Sequence, residues 1–135
     1  MKIKAESKFI RTSYRKLRLV ADLVRPMSLN EALDVLKHLN KRAAEPILKT
    51  FKQAVANAVN NHNLPKDSLK IHSLEINEGP TYKRWNPVSR GRAHSIFKRT
   101  SHIKIVLKSV IKKPKVTKKP AKTKKPASTK RKRGK

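Results

Sequence analysis

Apolar positions recur with helical spacing through the first half of the chain and with alternating spacing through the second. In TSYRKLRLVADLV, residues 12–24, Leu17, Val20, Ala21 and Val24 fall at i, i+3, i+4 and i+7 and form one apolar stripe, with Arg15, Arg18, Asp22 and Arg25 on the other side. Thr12 or Ser13 stands where a cap belongs, and Pro26 ends the helix. Ser28-Leu29-Asn30-Glu31 is a capping box, in which each side chain satisfies a backbone N–H of the other's turn. Leu29, Ala32, Leu33, Leu36 and Leu39 give the buried face of the helix it opens. A third, longer helix is expected over about 41–61, burying Ala43, Ile47, Phe51, Ala54, Val55, Ala58 and Val59, with alanines allowing close packing. Pro46 requires that this helix either start near residue 44 or bend, because a proline beyond the first turn removes a hydrogen bond and clashes with the preceding turn.

After NNHNLPKDS the period changes to two. Leu69 and Ile71 share a face, and Leu74 and Ile76 continue one residue out of phase, which predicts a β-bulge between the pairs. Ile103, Ile105 and Leu107 make an antiparallel partner strand. Residues 79–100 then connect the two. A structureless connection of that length is improbable in a small domain unless it has a function of its own. As a continued hairpin with about 11 residues in each arm, at roughly 3.3 Å per residue, it would project about 35 Å.

Charge gives this connection its meaning. The 135 residues carry 36 Lys or Arg against 8 Asp or Glu, a net charge of +28. All eight acids lie in residues 1–78, where 15 bases leave +7; residues 79–135 hold 21 bases and no acid. Such a balance opposes compaction of an isolated chain and favours a polyanionic partner, nucleic acid first. From residue 112 the sequence KKPKVTKKPAKTKKPASTKRKRGK is low-complexity, 13 of its 24 residues being Lys or Arg, with prolines at 114, 120 and 126 that deny it a helix. The expected division is therefore a globular unit over 1–111, including an extended hairpin at 79–100, and a disordered Lys/Pro-rich tail over 112–135.

The arm's own chemistry suits RNA. Lys83, Arg84, Arg90, Arg92, Lys98 and Arg99 offer ammonium and guanidinium donors to phosphate, and Trp85 offers a plane for a base or an arginine. Gly91 between two arginines lets the tip turn or approach a backbone closely. The competing reading is a solvated hairpin with Trp85 folded back on the domain. Arg11, Arg15, Lys16 and Arg18 at the first helix are further candidates for phosphate contact, against the alternative that an exposed basic face serves solubility alone.

Other chemistry finds little support. There are no cysteines, which removes disulfides, thiolate metal sites and cysteine nucleophiles. The five histidines, at 38, 62, 72, 94 and 102, lie on different expected elements without ligand spacing, no carboxylate pair suits a metal nuclease, and no glycine loop cradles a phosphate. No catalytic residue, cofactor or metal is expected, so the chain is read as a non-enzyme. The opening MKIKAESKFIRTSYRK has no apolar run of signal-peptide length, and no stretch approaches the roughly 18 apolar residues of a membrane span. A soluble, unexported protein is the expectation.

The runs KLRLVADLVR (16–25), NKRAAEPILK with QAVANAVNNH (within 40–62), INEGPTYKRW (76–85) and GRAHSIFKRTSHIKIVL (91–107) resemble the large-subunit ribosomal protein twenty-two family in its bacterial and plastid form. The resemblance covers about residues 5–108. It implies an α+β fold, three helices packed on a small antiparallel three-stranded sheet, with a long protruding β-hairpin; a disordered basic C-terminal tail would lie beyond it. It also implies a structural constituent of the large subunit that binds its ribosomal RNA, supports assembly and lines the polypeptide exit tunnel. Implied partners are large-subunit ribosomal RNA, neighbouring ribosomal proteins including ribosomal protein four at the tunnel constriction, and the nascent polypeptide, with no membrane and no homo-oligomer. The expected location is the cytoplasmic ribosome, or the plastid stroma for an organelle-encoded chain. By position, the resemblance gives RNA contacts to Lys83, Arg84 and Trp85 on the outgoing arm, to Arg90, Gly91 and Arg92 near the tip, and to His94, Lys98, Arg99, Thr100 and His102 on the return. Two residues depart from the family pattern: Pro26 replaces a common glycine, and His94 a common acid. The rival from another class is a DNA-compacting protein, for which the Lys-Pro-Ala tail would resemble those of linker histones.

Overall fold

The computed structural model of the chain describes residues 1–110. Its elements are β1 (Lys2–Ile10), α1 (Tyr14–Val24), α2 (Leu29–His38), α3 (Ala44–His62), β2 (Leu69–Glu78), β3 (Tyr82–Pro87), β4 (Ala93–Lys98) and β5 (Ser101–Ser109), with short 3-10 turns at Lys66–Ser68 and Ser89–Gly91. The fold is α+β. Three antiparallel strands in the order β1-β5-β2 form the body's sheet, and β3 pairs with β4 in a separate two-stranded ribbon.

Strand β5 takes the centre because it is the most apolar. Ile103, Ile105 and Leu107 are fully buried on the helix-facing side. The bulge in β2 falls between Ile71 and Ser73, where the change of phase in the sequence requires it. Strand β1 is the element that periodicity analysis did not supply. Its Ile3 and Ala5 enter the core, while Lys2, Lys4, Glu6 and Lys8 alternate outward, and it pairs with β5 from Lys2↔Lys108 to Ser7↔Ile103.

The helices cover one face of the sheet: α3 lies on β1 and β5, α1 lies on β2, and α2 packs against α3. Helix α1 buries Leu17, Val20, Ala21 and Val24, the expected stripe. Ser13 occupies its N-cap position, but its hydroxyl makes no capping hydrogen bond. Helix α2 is capped as its sequence specifies, with the Ser28 N–H donating to Glu31 Oε2 at 3.0 Å. Pro46 is resolved by the start of α3 at Ala44, which places the proline in the first turn, where a missing N–H costs nothing. At the other end Asn63 adopts the left-handed conformation (φ 50°, ψ 38°), and the Leu64 N–H returns to the Ala58 carbonyl at 3.2 Å. Phe51, fully buried from the middle of α3, is the largest such side chain in the core.

Two outcomes follow from this packing. Phe51→Ala is expected to destabilise the chain by about 3–5 kcal/mol in urea unfolding followed by circular dichroism. The capping bond to Ser28 holds the Glu31 carboxyl below its ordinary value of 4.5. The folded chain thus binds that proton more weakly than the unfolded one, so the stabilisation is fully present above the ordinary value and is lost as pH falls through the lowered one. The gap in Tm between the parent and Glu31→Ala should therefore be present at about pH 6 and shrink as pH falls below about 4.

Candidate nucleic-acid interface

The ribbon starts where the body's sheet stops accepting strand pairs. The Gly79 N–H donates to the Thr100 carbonyl at 3.0 Å, and the Thr100 hydroxyl donates to the Pro80 carbonyl at 2.5 Å. Pro80 has no N–H to continue the ladder. A Cβ on Gly79 would stand 2.6 Å from Thr100 Oγ1 and 3.2 Å from the His102 ring, so only glycine fits this crossing of the two arms. Beyond it the ladder resumes as six pairs, from Tyr82↔Lys98 to Pro87↔Ala93. At roughly 3.3 Å per residue the paired part is about 20 Å long, shorter than a hairpin continued from residue 79 would be.

No residue of β3 or β4 is buried. Cross-strand register puts Tyr82, Arg84, His94, Ile96 and Lys98 on one face, and Lys83, Trp85, Ser95 and Phe97 on the other. Each face thus mixes cations with apolar or aromatic groups, and neither rests on the body. Trp85 is 66% exposed, so it does not fold back onto the domain. An isolated two-stranded hairpin is marginal in water, and here no core secures it.

The tip turns between Ser89 and Arg92, with φ of 59° at Arg90 and 66° at Gly91. Glycine adopts that region without strain, whereas an arginine there costs about 1 kcal/mol. Arg90 is exposed at this turn. Among the ribbon's cations Arg99 pairs with Glu78 at 3.6 Å. Lys83, Arg84, Arg90, Arg92 and Lys98 make no ion pair among the described residues.

The remaining candidates separate by location. Arg11 and Lys16 share a groove with Lys98 and Arg99, between the start of α1 and the base of the ribbon. Arg15 and Arg18 flank the Tyr14 ring, with the Arg18 guanidinium carbon 4.8 Å from its centre; Arg18 also donates to the Ile76 carbonyl at 3.2 Å and so clamps α1 to β2. Thr100 is fully buried and holds the ribbon's base through Pro80. His102 accepts the Phe9 N–H at Nδ1 (3.1 Å) and packs edge-on against the Phe9 ring, supporting a left-handed residue (φ 56°) at the irregular end of β1. His94 is exposed beside Asn86 near the tip.

Sequence reasoning missed two groups of cations. Lys41 and Arg42, on the turn between α2 and α3, join Arg11, Lys16, Lys98 and Arg99 around the groove; the adjacent basic pair was visible, its neighbours were not. Lys2, Lys108 and Lys70 stand in one row across all three strands, paired in register as like charges, an arrangement that disfavours the isolated fold. Past the row Lys4-Val106-Ser73, the row Glu6-Lys104-Glu75 is compensated, with Lys104 Nζ 3.0 Å from Glu75 Oε2; that hydrogen bond and charge keep the Glu75 carboxyl low. Among the described residues no three His, Cys, Asp or Glu side chains group as metal ligands would, and no helix is long and apolar enough to cross a membrane.

A small α+β body with an acid-free ribbon is the class of fold this chain adopts. The profile of the family described as Ribosomal protein L22p/L17e matches residues 5–108, and the chain belongs to that family. It is 53% identical over 107 residues to the large ribosomal subunit protein uL22 of Mycoplasma capricolum, covering 79% of this chain and 96% of the relative. The uL22 of Clostridium novyi is 49% identical over 108 residues (80% and 97%), and that of Thermus thermophilus 48% over 107 (79% and 95%). The family is a structural, non-enzymatic class of ribosomal proteins.

Gly79→Ala should force Thr100 off the Pro80 carbonyl and destabilise the chain by about 1–3 kcal/mol. Urea unfolding gives the loss, and faster amide exchange at Tyr82 and Lys98 than in the parent locates it at the ribbon's base.

Proposed function

We propose that this chain is a structural constituent of the large ribosomal subunit, that it binds the subunit's ribosomal RNA and supports its assembly, and that its ribbon lines the polypeptide exit tunnel. The observation carrying this reading is the ribbon itself: two exposed faces of cations and aromatic groups, no carboxylate, and no buried residue in either strand. Family membership supports the ribosomal setting, in a cytoplasmic ribosome.

In this reading Lys83, Arg84, Trp85, Arg90, Gly91, Arg92, His94 and Lys98 meet RNA along the ribbon, and the Arg90-Gly91-Arg92 tip borders the nascent polypeptide opposite ribosomal protein four. Arg11, Lys16 and Arg99 meet phosphate at the ribbon's base. Arg15, exposed on α1, reaches RNA from the same side, while Arg18, Thr100 and His102 present their contacts from positions fixed by Tyr14, Pro80 and Phe9. Domain division follows the charge: residues 1–111 fold and dock, and 112–135, which lie outside the described residues, add 13 bases without sequence preference.

The mechanism is electrostatic and passive. Each neutralised phosphate releases counterions, so affinity for free RNA falls steeply with salt. A tagged chain is expected to co-sediment with large subunits in sucrose gradients, and removal of residues 112–135 should leave that co-sedimentation in place. Deleting residues 84–95 removes Arg84, Arg90 and Arg92. That deletion should leave the helical circular-dichroism signal intact and lower the slope of log affinity against log salt by about 2–3, at roughly 0.7–0.9 per lost contact. Co-migration with DNA, abolished by loss of the tail and not of the ribbon, would instead identify a DNA-compacting protein.

A further inference from the structure

Helix α1 carries a second apolar pair that the core does not use. Leu19 and Leu23, four residues apart, are 75% and 44% exposed, off the stripe that faces β2. They line a groove of about 1060 Å³ whose far wall is the base of the ribbon, where Phe97 is 50% exposed. The basic residues of this groove come from three separate elements: Arg11 and Lys16 at the start of α1, Lys41 and Arg42 on the α2–α3 turn, and Lys98 and Arg99 on the ribbon's return. No acidic residue lines it.

The two properties together select an occupant. A duplex backbone would use the cations and gain nothing from exposed Leu19, Leu23 and Phe97. A purely apolar ligand would gain nothing from six cations. An unpaired nucleotide uses both, since its base has an apolar face to lay on the leucines and the ring while its own and flanking phosphates reach the rim. A polypeptide segment would need acidic groups on several sides of an apolar edge to match a rim drawn from three elements. The volume lies at the upper end of the small-ligand range and leaves room for the flanking sugar-phosphate beside a base.

We propose that this groove captures an unpaired nucleotide extruded from the RNA against which the ribbon lies, so that the body reads a local RNA shape while the ribbon binds by charge. This rests on the RNA-binding reading above and assigns one part of that surface a distinct ligand.

The test uses the full chain and two probes at fixed salt: a fluorescein-labelled hexauridylate, and the same ribose-phosphate chain without bases. The parent is expected to prefer the base-bearing probe by about tenfold. The double variant Leu19→Asn, Phe97→Ala alters exposed side chains only, and an unchanged circular-dichroism spectrum verifies its fold. It should lose most of that preference and keep its affinity for the abasic probe. Photocrosslinking of the parent to a hexamer containing 4-thiouridine should map to the α1 segment around Leu19–Leu23 or to Tyr82 and Phe97. Equal affinity for both probes, a preference unchanged in the double variant, or crosslinks confined to Trp85 and the ribbon tip overturns the proposal. So does tighter binding of a Leu/Glu amphipathic peptide that the double variant alone weakens. Failure to bind either probe overturns the RNA-binding reading itself, a result distinct from binding without base preference.

Discussion

No carboxylate follows Glu78, and the architecture depends on that one asymmetry. The body can neutralise part of its own charge: Asp22 with Arg25, Asp34 with Lys37, Glu45 with Lys49 and Glu75 with Lys104 are all local or cross-strand pairs. Each is exposed and adds little stability. Their importance lies in what they leave over. The ribbon has the Glu78–Arg99 pair at its root and no carboxylate beyond it, so an isolated ribbon bears mutual repulsion as well as the entropy of holding two exposed strands in register. In the proposed function, RNA phosphate supplies its counter-charge.

What makes that tolerable is the seam at Gly79, Pro80 and Thr100. One backbone bond and one buried hydroxyl end the body's sheet before the ribbon begins, so the core formed by β1, β5, β2 and the three helices need not share the ribbon's strain. Long cationic side chains even assist the body: Arg25 donates to the Leu74 carbonyl at 3.0 Å, just past the bulge in β2, and Arg18 donates to Ile76 two residues on. The same residue type thus performs two jobs. Arg18 and Arg25, whose guanidinium groups reach carbonyls of β2, fix α1 to that strand, and the cations of the ribbon face outward.

Much of this is visible in the sequence because helices advertise a face. The α1 stripe, the Ser28–Glu31 cap and the phase change in β2 each follow from spacing alone, and each stands where spacing puts it. Strand β1 escaped because its apolar side is only Ile3 and Ala5, an edge strand held by pairing with β5 more than by its own composition; its signal is the outward run Lys2, Lys4, Glu6, Lys8. The ribbon's shorter paired length was hidden in a close approach, the contact between Gly79 and Thr100, which no periodicity encodes. At the interface, local sequence identified the charged segment but not which side chains turn inward. Thr100, His102 and Arg18 find partners 20, 93 and 58 residues away, and the groove joins Lys41 and Arg42 to the ribbon's base only through the tertiary fold.

The central claim is that the ribbon is ordered by phosphate outside the chain and not by its own body. Amide hydrogen exchange on the free protein and on the same protein within assembled large subunits tests it most directly. The account requires β3 and β4 to exchange orders of magnitude faster than β5 in the free chain, and to become protected in the particle while β5 changes little. A ribbon as protected as β5 in the free chain, or one that still exchanges freely in the particle, contradicts it.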